Sequence, residues 1–239
     1  MSSNLFAESE ERMKYSIKVN EVKGNDSNVR GFATVVFGDS FKITNIAILE
    51  NTEKQQLFVS MPRYKSNERD ENNNPVYKDI CNPITKEFRE ELYGQILDAY
   101  ENVKNQGKTT GTDEPMEVPV FSVNVTPFER ENGNVKGLAR IYFDDCFIVN
   151  NVTLLQGKDR VFVAMPSYKT KQVDDNNKPV YQDVCYPVTK EFREKLYNEI
   201  IDTYEREVEK QKEQSQKNER PLNRREQYQM AHREDKPFR

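Results

Sequence analysis

Histidine is almost missing from this sequence. The only one, His232, lies in the C-terminal stretch, so the body of the chain can build neither a histidine-based metal site nor a Ser–His–Asp triad. Tryptophan is absent, and the nine glycines form no Gly-rich phosphate loop. Cysteine is scarce. Cys81, Cys146 and Cys185 make no CxxC pair and cannot all pair within one chain; they read as free thiols of a reducing compartment. No apolar run approaches the roughly 18 residues that span a bilayer. The N-terminus, MSSNLFAESEERMK, lacks a basic stretch followed by an apolar one and does not read as a secretory signal. A cytoplasmic location without membrane contact is therefore the expectation. A strong excess of one charge is lacking too. The formal net charge is −4, so any nucleic-acid site must be a local patch.

What the sequence does contain is itself, twice. Gly31 aligns with Gly137 and Phe41 with Phe147. After a two-residue deletion in a loop, Met61-Pro62 aligns with Met165-Pro166. PVYKDICNPITKEFREELYGQILDAY and PVYQDVCYPVTKEFREKLYNEIIDTY are identical at 17 of 26 positions. A tandem duplication accounts for this, and it divides the chain. Residues 1–14 are an N-terminal extension, 15–101 repeat 1, 102–119 a linker rich in Gly, Thr and Pro, and 120–205 repeat 2. Residues 206–239 are a charged helical extension and a disordered tail.

Within a copy, Tyr15, Ile17 and Val19 alternate with polar residues, as do Phe121, Val123 and Val125, which predicts a half-buried strand. Strands follow over Arg30–Phe37 and Phe41–Leu49, and over Lys136–Phe143 and Phe147–Leu155. LFVSM and VFVAM make a fourth. A polar loop of Asn and Asp then leads to a short strand, VYKDI or VYQDV, stopped by Pro83 or Pro187. Thr85 and Thr189 suit an N-cap, with Glu87 and Glu191 in the first helical turn. Phe88, Leu92, Tyr93, Ile96, Leu97 and Tyr100 recur at helical spacing, as do their partners from Phe192 to Tyr204. The class is α+β: each repeat an antiparallel meander of about five strands followed by an amphipathic C-terminal helix. One sheet with one helix is a thin core, so the two repeats should pack as a pseudo-dimer. Further oligomerisation is compatible with the pattern.

FVSMP and FVAMP, each followed by basic residues, a polar loop, an aromatic-x-Asp strand, a proline and a helix, resemble the stage V sporulation protein G (SpoVG) family. MPSYKT is similar to its Met-Pro-Ser-basic-basic-Thr. YQDVCYPV is similar to its Phe-Arg-Asp-Ile-Ala-His-Pro-Ile. Arg89 and Arg193, each followed by Glu, match its helix Arg-Glu. Tyr64 and Tyr168 depart from the first basic residue, Asn82 and Tyr186 from the His, Arg63 from the Ser, and Glu91 from the Lys that Lys195 keeps. The resemblance implies a small dimeric DNA- and RNA-binding regulator linked to sporulation and septum formation. The residue content, with its single histidine and no Gly-rich loop, leads to the expectation of no catalytic, cofactor or metal site.

Candidate contacts follow. Arg63, Tyr64 and Lys65, with Tyr168, Lys169 and Lys171, could neutralise phosphates and stack on an exposed base; equally they could be a solvated loop with a tyrosine on the sheet rim. Lys86 and Arg89, with Lys190 and Arg193, share a helix face and could grip a phosphate backbone. Interleaved glutamates make an ordinary charged face the alternative. Lys195 joins this set through the resemblance. Strand alternation places Tyr77, Asp79 and Cys81 on one face, but without a histidine the Asp–Cys pair reads as structural and the chain as non-enzymatic. A protein-interaction or scaffolding module is the rival function.

Over residues 205–239 the chain holds ten Lys/Arg against eight Asp/Glu, with little apolar material. Truncation after Gln214 should therefore leave the thermal melting curve nearly unchanged; loss of the cooperative transition would place the tail in a core.

Overall fold

The structure, a computed structural model, describes residues 13–24, 27–106, 116–128 and 133–219. Repeat 1 contributes β1 (Tyr15–Glu21), β2 (Val29–Phe37), β3 (Phe41–Asn51), β4 (Gln56–Ser60), β5 (Arg63–Arg69), β6 (Pro75–Asp79), β7 (Cys81–Pro83) and α1 (Lys86–Gln106). Repeat 2 repeats the order with β8 (Phe121–Pro127), β9 (Val135–Phe143), β10 (Phe147–Gln156), β11 (Val161–Ala164), β12 (Ser167–Val173), β13 (Pro179–Asp183), β14 (Cys185–Pro187) and α2 (Lys190–Glu219).

The first four strands of each repeat form the expected antiparallel meander. The alternation of Ile17 and Val19, and of Ala33, Val35 and Phe37, puts one face of the sheet in the core. The helix covers that face with Phe88, Leu92 and Ile96 in one copy and Phe192, Leu196 and Ile200 in the other. Each helix is capped as its sequence predicts: the amides of Phe88 and Phe192 donate to Thr85 Oγ1 and Thr189 Oγ1 at 3.3 and 3.2 Å.

The fifth strand is not part of the meander. VYKDI and VYQDV lose their last residue: β6 and β13 end at Asp79 and Asp183, before Ile80 and Val184. Residues up to Asp79 and Asp183 pair with the segment expected as a polar loop, so that β5–β6 and β12–β13 are separate two-stranded arms. After Ile80 and Val184, the next three residues of each repeat cross over. β7 pairs with β10 of the other repeat, Cys81 opposite Val149 and Pro83 opposite Phe147. β14 pairs with β3 in the equivalent register, Cys185 opposite Ile43 and Pro187 opposite Phe41. Ile80 and Cys81 are consecutive and both buried, so the strand alternation breaks there. Asp79 stays at the arm while Cys81 enters the shared core, and the expected common face of Tyr77, Asp79 and Cys81 does not exist.

A bulge makes room for the crossing strand. Asn45 and Asn151 adopt positive φ (60° and 59°) where the pairing of β3 with β2, and of β10 with β9, shifts register. Asparagine tolerates that conformation better than most side chains. The bulge splits one edge of the long strand in two. Ala47–Asn51 receives β4, and Phe41–Ile43 receives β14.

The two sheets therefore share one core. Phe37 meets Phe143 and Phe147 at centroid distances of 5.9 and 5.0 Å, and Phe41 meets Phe143 at 4.7 Å. All four rings are fully buried. Between the repeats, Met116 N donates to Asp39 Oδ2 at 2.9 Å as the chain crosses the β2–β3 turn. Gly38 in that turn has φ +49°, and a Cβ there would lie 2.1 Å from the Glu117 carbonyl oxygen. Asp144 takes its place in repeat 2.

Helix α1 continues past Glu101 into the expected linker, because Val103 still packs on the core. Helix α2 continues past Ser215 to Glu219. The remainder of the predicted disordered tail, 220–239, lies outside the described residues, as do 1–12 and 107–115.

Phe147 touches Phe37 and Phe88, both from repeat 1. Phe147→Ala should cost about 3–5 kcal/mol in a single cooperative urea transition. Two separate transitions, only one of them shifted, would mean that the repeats fold independently.

Candidate nucleic-acid interface

Each arm is rooted in the crossing of the chain between repeats. Ile80 N donates to the Pro62 carbonyl and Val184 N to the Pro166 carbonyl, both at 2.8 Å, closing the base of each hairpin just before the chain enters the other sheet. The tips are tight turns. Asp70 Oδ1 accepts from the amides of Asn72 and Asn74 at 2.9 and 2.7 Å. Asp174 Oδ1 accepts from those of Asn176 and Lys178 at 2.9 and 2.8 Å.

Cross-strand register decides which side chains act together, since opposed residues share a face and neighbours in sequence do not. In the first arm Arg63 opposes Asp79, Tyr64 opposes Lys78, and Lys65 opposes Tyr77. In the second, Ser167 opposes Asp183, Tyr168 opposes Gln182, and Lys169 opposes Tyr181. The sequence cluster Arg63–Tyr64–Lys65 is thus divided: Arg63 and Lys65 on one face, Tyr64 on the other. Tyr168 is parted from Lys169 in the same way.

The cations differ in what already holds them. Arg63 Nε is 3.2 Å from Asp79 Oδ1. Lys86 and Lys190 pair along their helices with Glu90 and Glu194 at 3.7 and 3.8 Å. Arg89 and Arg193 donate through Nη2 to the Pro83 and Pro187 carbonyls at 3.0 and 3.2 Å, tying each crossing strand to its own helix. Lys195 lies over the Phe121 ring, 5.4 Å from its centroid. Lys65, Lys169 and Lys171 are exposed, and among the described residues no carboxylate pairs with them.

The tyrosines differ too. Tyr64 and Tyr168 are 36% and 38% exposed, whereas Tyr77 and Tyr181, absent from the sequence-derived set, are 58% and 62% exposed. Tyr168 is held by its hydroxyl, which donates to Gln182 Oε1 at 2.8 Å. The signal for Tyr77 and Tyr181 was present in the sequence as the duplicated Val-Tyr-x-Asp strand. Its partner strand was hidden in a segment with no apolar alternation.

The arm bases are not electrostatically equal. Asp79 has Arg63, but Asp183 faces Ser167. Burial holds the Asp183 carboxyl above its ordinary range, and Arg193 acts in the opposite direction. A raised carboxyl pKa in the folded state is a stability cost. It is present above the folded pKa and absent below the unfolded value of about 3.9. Asp183→Asn should therefore raise the melting temperature at neutral pH, and the gain should vanish near about pH 3. An equal gain at both pH values would show that desolvation of the charge is not the cause.

No helix among the described residues is long and apolar enough to cross a membrane. Comparison with known proteins finds relatives that each match about a third of the chain. A septation protein SpoVG of Treponema denticola is 34% identical over 73 residues, 30% of this chain and 72% of that protein. One from Phytoplasma australiense is 37% identical over 71 residues, 30% of this chain and 68% of that protein. One from Clostridium botulinum is 32% identical over 79 residues, 33% of this chain and 80% of that protein. The SpoVG family model matches twice, over residues 13–102 and 116–206. Those two segments take in most of the chain, one on each crossed-over repeat, and the protein belongs to the SpoVG family, with two copies of its domain in tandem.

Proposed function

We propose that this protein is a non-enzymatic regulator of septation and sporulation that binds DNA or RNA through its two arms. The observation that carries the reading is that the three lysines Lys65, Lys169 and Lys171 along the hairpin strands are unpaired among the described residues, with Lys178 a fourth at the second tip, on hairpins that stand apart from both sheets. An unpaired ammonium can neutralise a phosphate without first breaking an ion pair. The arms are not attractive as a whole: in the first, Arg63, Lys65, Arg69 and Lys78 offset Glu68, Asp70, Glu71 and Asp79. Adjacent acids lie at the tips, Asp70-Glu71 and Asp174-Asp175, which leaves the lysines along the strands as the local patch. The second arm carries two of the three, so it contributes more. Arg89 and Arg193 support the interface by fixing the crossing strands, and Lys86 and Lys190 lie at the helix starts as secondary contacts.

Substituting Lys65, Lys169 and Lys171 with alanine should weaken binding about tenfold or more at low salt. It should also flatten the dependence of log affinity on log salt by about 2 for single strands, if each lysine meets one phosphate. The measurement is an anisotropy titration with labelled DNA and RNA between about 50 and about 200 mM salt. A variant that binds as the parent does would reject the arms.

A second reading, a protein-interaction module, has one observation in its favour. The groove between β8 and α2 exposes Val118 and Val120 beside Lys195 and Arg206. A parent protein that binds no nucleic acid at low salt would move the function there.

A further inference from the structure

We infer that Tyr77 and Tyr181 are base-stacking platforms, and that the arms select single-stranded nucleic acid over duplex. The inference rests on the arms being the binding surface and adds which side chains read the ligand. Three observations support it. Tyr77 and Tyr181 are the most exposed aromatic rings in the described residues, and among those residues no hydrogen bond or ring contact holds either. Each stands directly opposite an unpaired lysine, Lys65 or Lys169, on the same face of its hairpin. The arrangement occurs twice in equivalent register, on arms whose bases are fixed to the shared core.

The opposite faces lack these properties. Tyr64 stands beside Lys78, which pairs with Glu68, and Tyr168 is tied to Gln182. A ring facing solvent beside a free ammonium offers two things at once: a π-face for an unpaired base and a cation for the adjoining phosphate. Bases in a duplex are stacked on one another and present no free face, so only a single strand, loop or bulge can use the ring. Stacking accepts every base, so the selectivity is for strandedness and not for sequence.

The experiment compares three double variants of the full chain against a labelled single strand of mixed sequence and its duplex. Tyr77→Ala with Tyr181→Ala should weaken single-strand binding roughly tenfold per tyrosine and leave duplex binding unchanged, because the lysines remain. Tyr77→Phe with Tyr181→Phe should restore single-strand binding, since the ring is kept. Tyr64→Ala with Tyr168→Ala should change single-strand binding by less than about threefold. All four positions are exposed, and an unchanged melting curve confirms the fold. If the Tyr77/Tyr181 alanine variant keeps its single-strand affinity, or the Tyr64/Tyr168 variant loses more, the inference fails while the lysine interface stands. Failure of the phenylalanine variant to restore binding overturns it as well. A parent that binds neither ligand removes both readings.

Discussion

Three residues on each side of the molecule, Cys81–Pro83 and Cys185–Pro187, cross to the other repeat and complete its sheet. The backbone bonds around them continue the attachment. Asn150 N donates to the Ile80 carbonyl at 2.7 Å and Thr44 N to the Val184 carbonyl at 2.8 Å. Without this exchange the first halves of β3 and β10 would be open edges, and Phe37, Phe41, Phe143 and Phe147 would face water on the side where they now face each other. A single sheet with one helix buries too little for its size. The exchange makes one larger core from two thin ones. Cys81 and Cys185 lie fully buried inside it as free thiols, and the Cys185 thiol, then burial, hold Cys81 far above the ordinary thiol range.

The crossing also builds the arms. A chain leaving one sheet at Pro62 and entering the other at Ile80 must turn back between them, and the stretch in between pairs with itself. The hairpins are therefore clamped at the base by buried structure and free along their length. That combination suits a binding surface, because a rigid base presents side chains in a fixed register at little entropic cost on binding.

Covalent duplication lets the halves differ. In a symmetric dimer one residue serves both sides, whereas here each side has its own. Gly38 admits the inter-repeat segment at a turn where repeat 2 carries Asp144. Glu91 accepts from Tyr15 at 2.9 Å where Lys195 lies over Phe121. Arg63 neutralises Asp79 where Ser167 faces Asp183. Both arms sum to zero net charge, over residues 63–79 and 167–183. Among the described residues, however, the second leaves the lysines Lys169, Lys171 and Lys178 without a carboxylate partner where the first leaves Lys65, so the two arms are related in shape and differ in how their charges are paired.

The repeat, the four-strand meander, the Thr85 and Thr189 caps and the helix faces were all readable from the chain, because each depends on spacing within one segment: period two for strands, 3.6 for helices, side chain to amide for caps. The lysines of the arms were readable as residue types. Three features were not. The second strand of each arm has no apolar alternation, since both of its faces meet solvent, and only pairing with β6 or β13 makes it a strand. The separation of Tyr64 from Lys65, and the meeting of Lys65 with Tyr77, follow from cross-strand register, which no single segment encodes. The destination of Cys81–Pro83 was hidden for the same reason. A buried three-residue strand looks alike whether it completes its own sheet or its neighbour's, and the choice was made by the open edge that the Asn151 bulge leaves on β10.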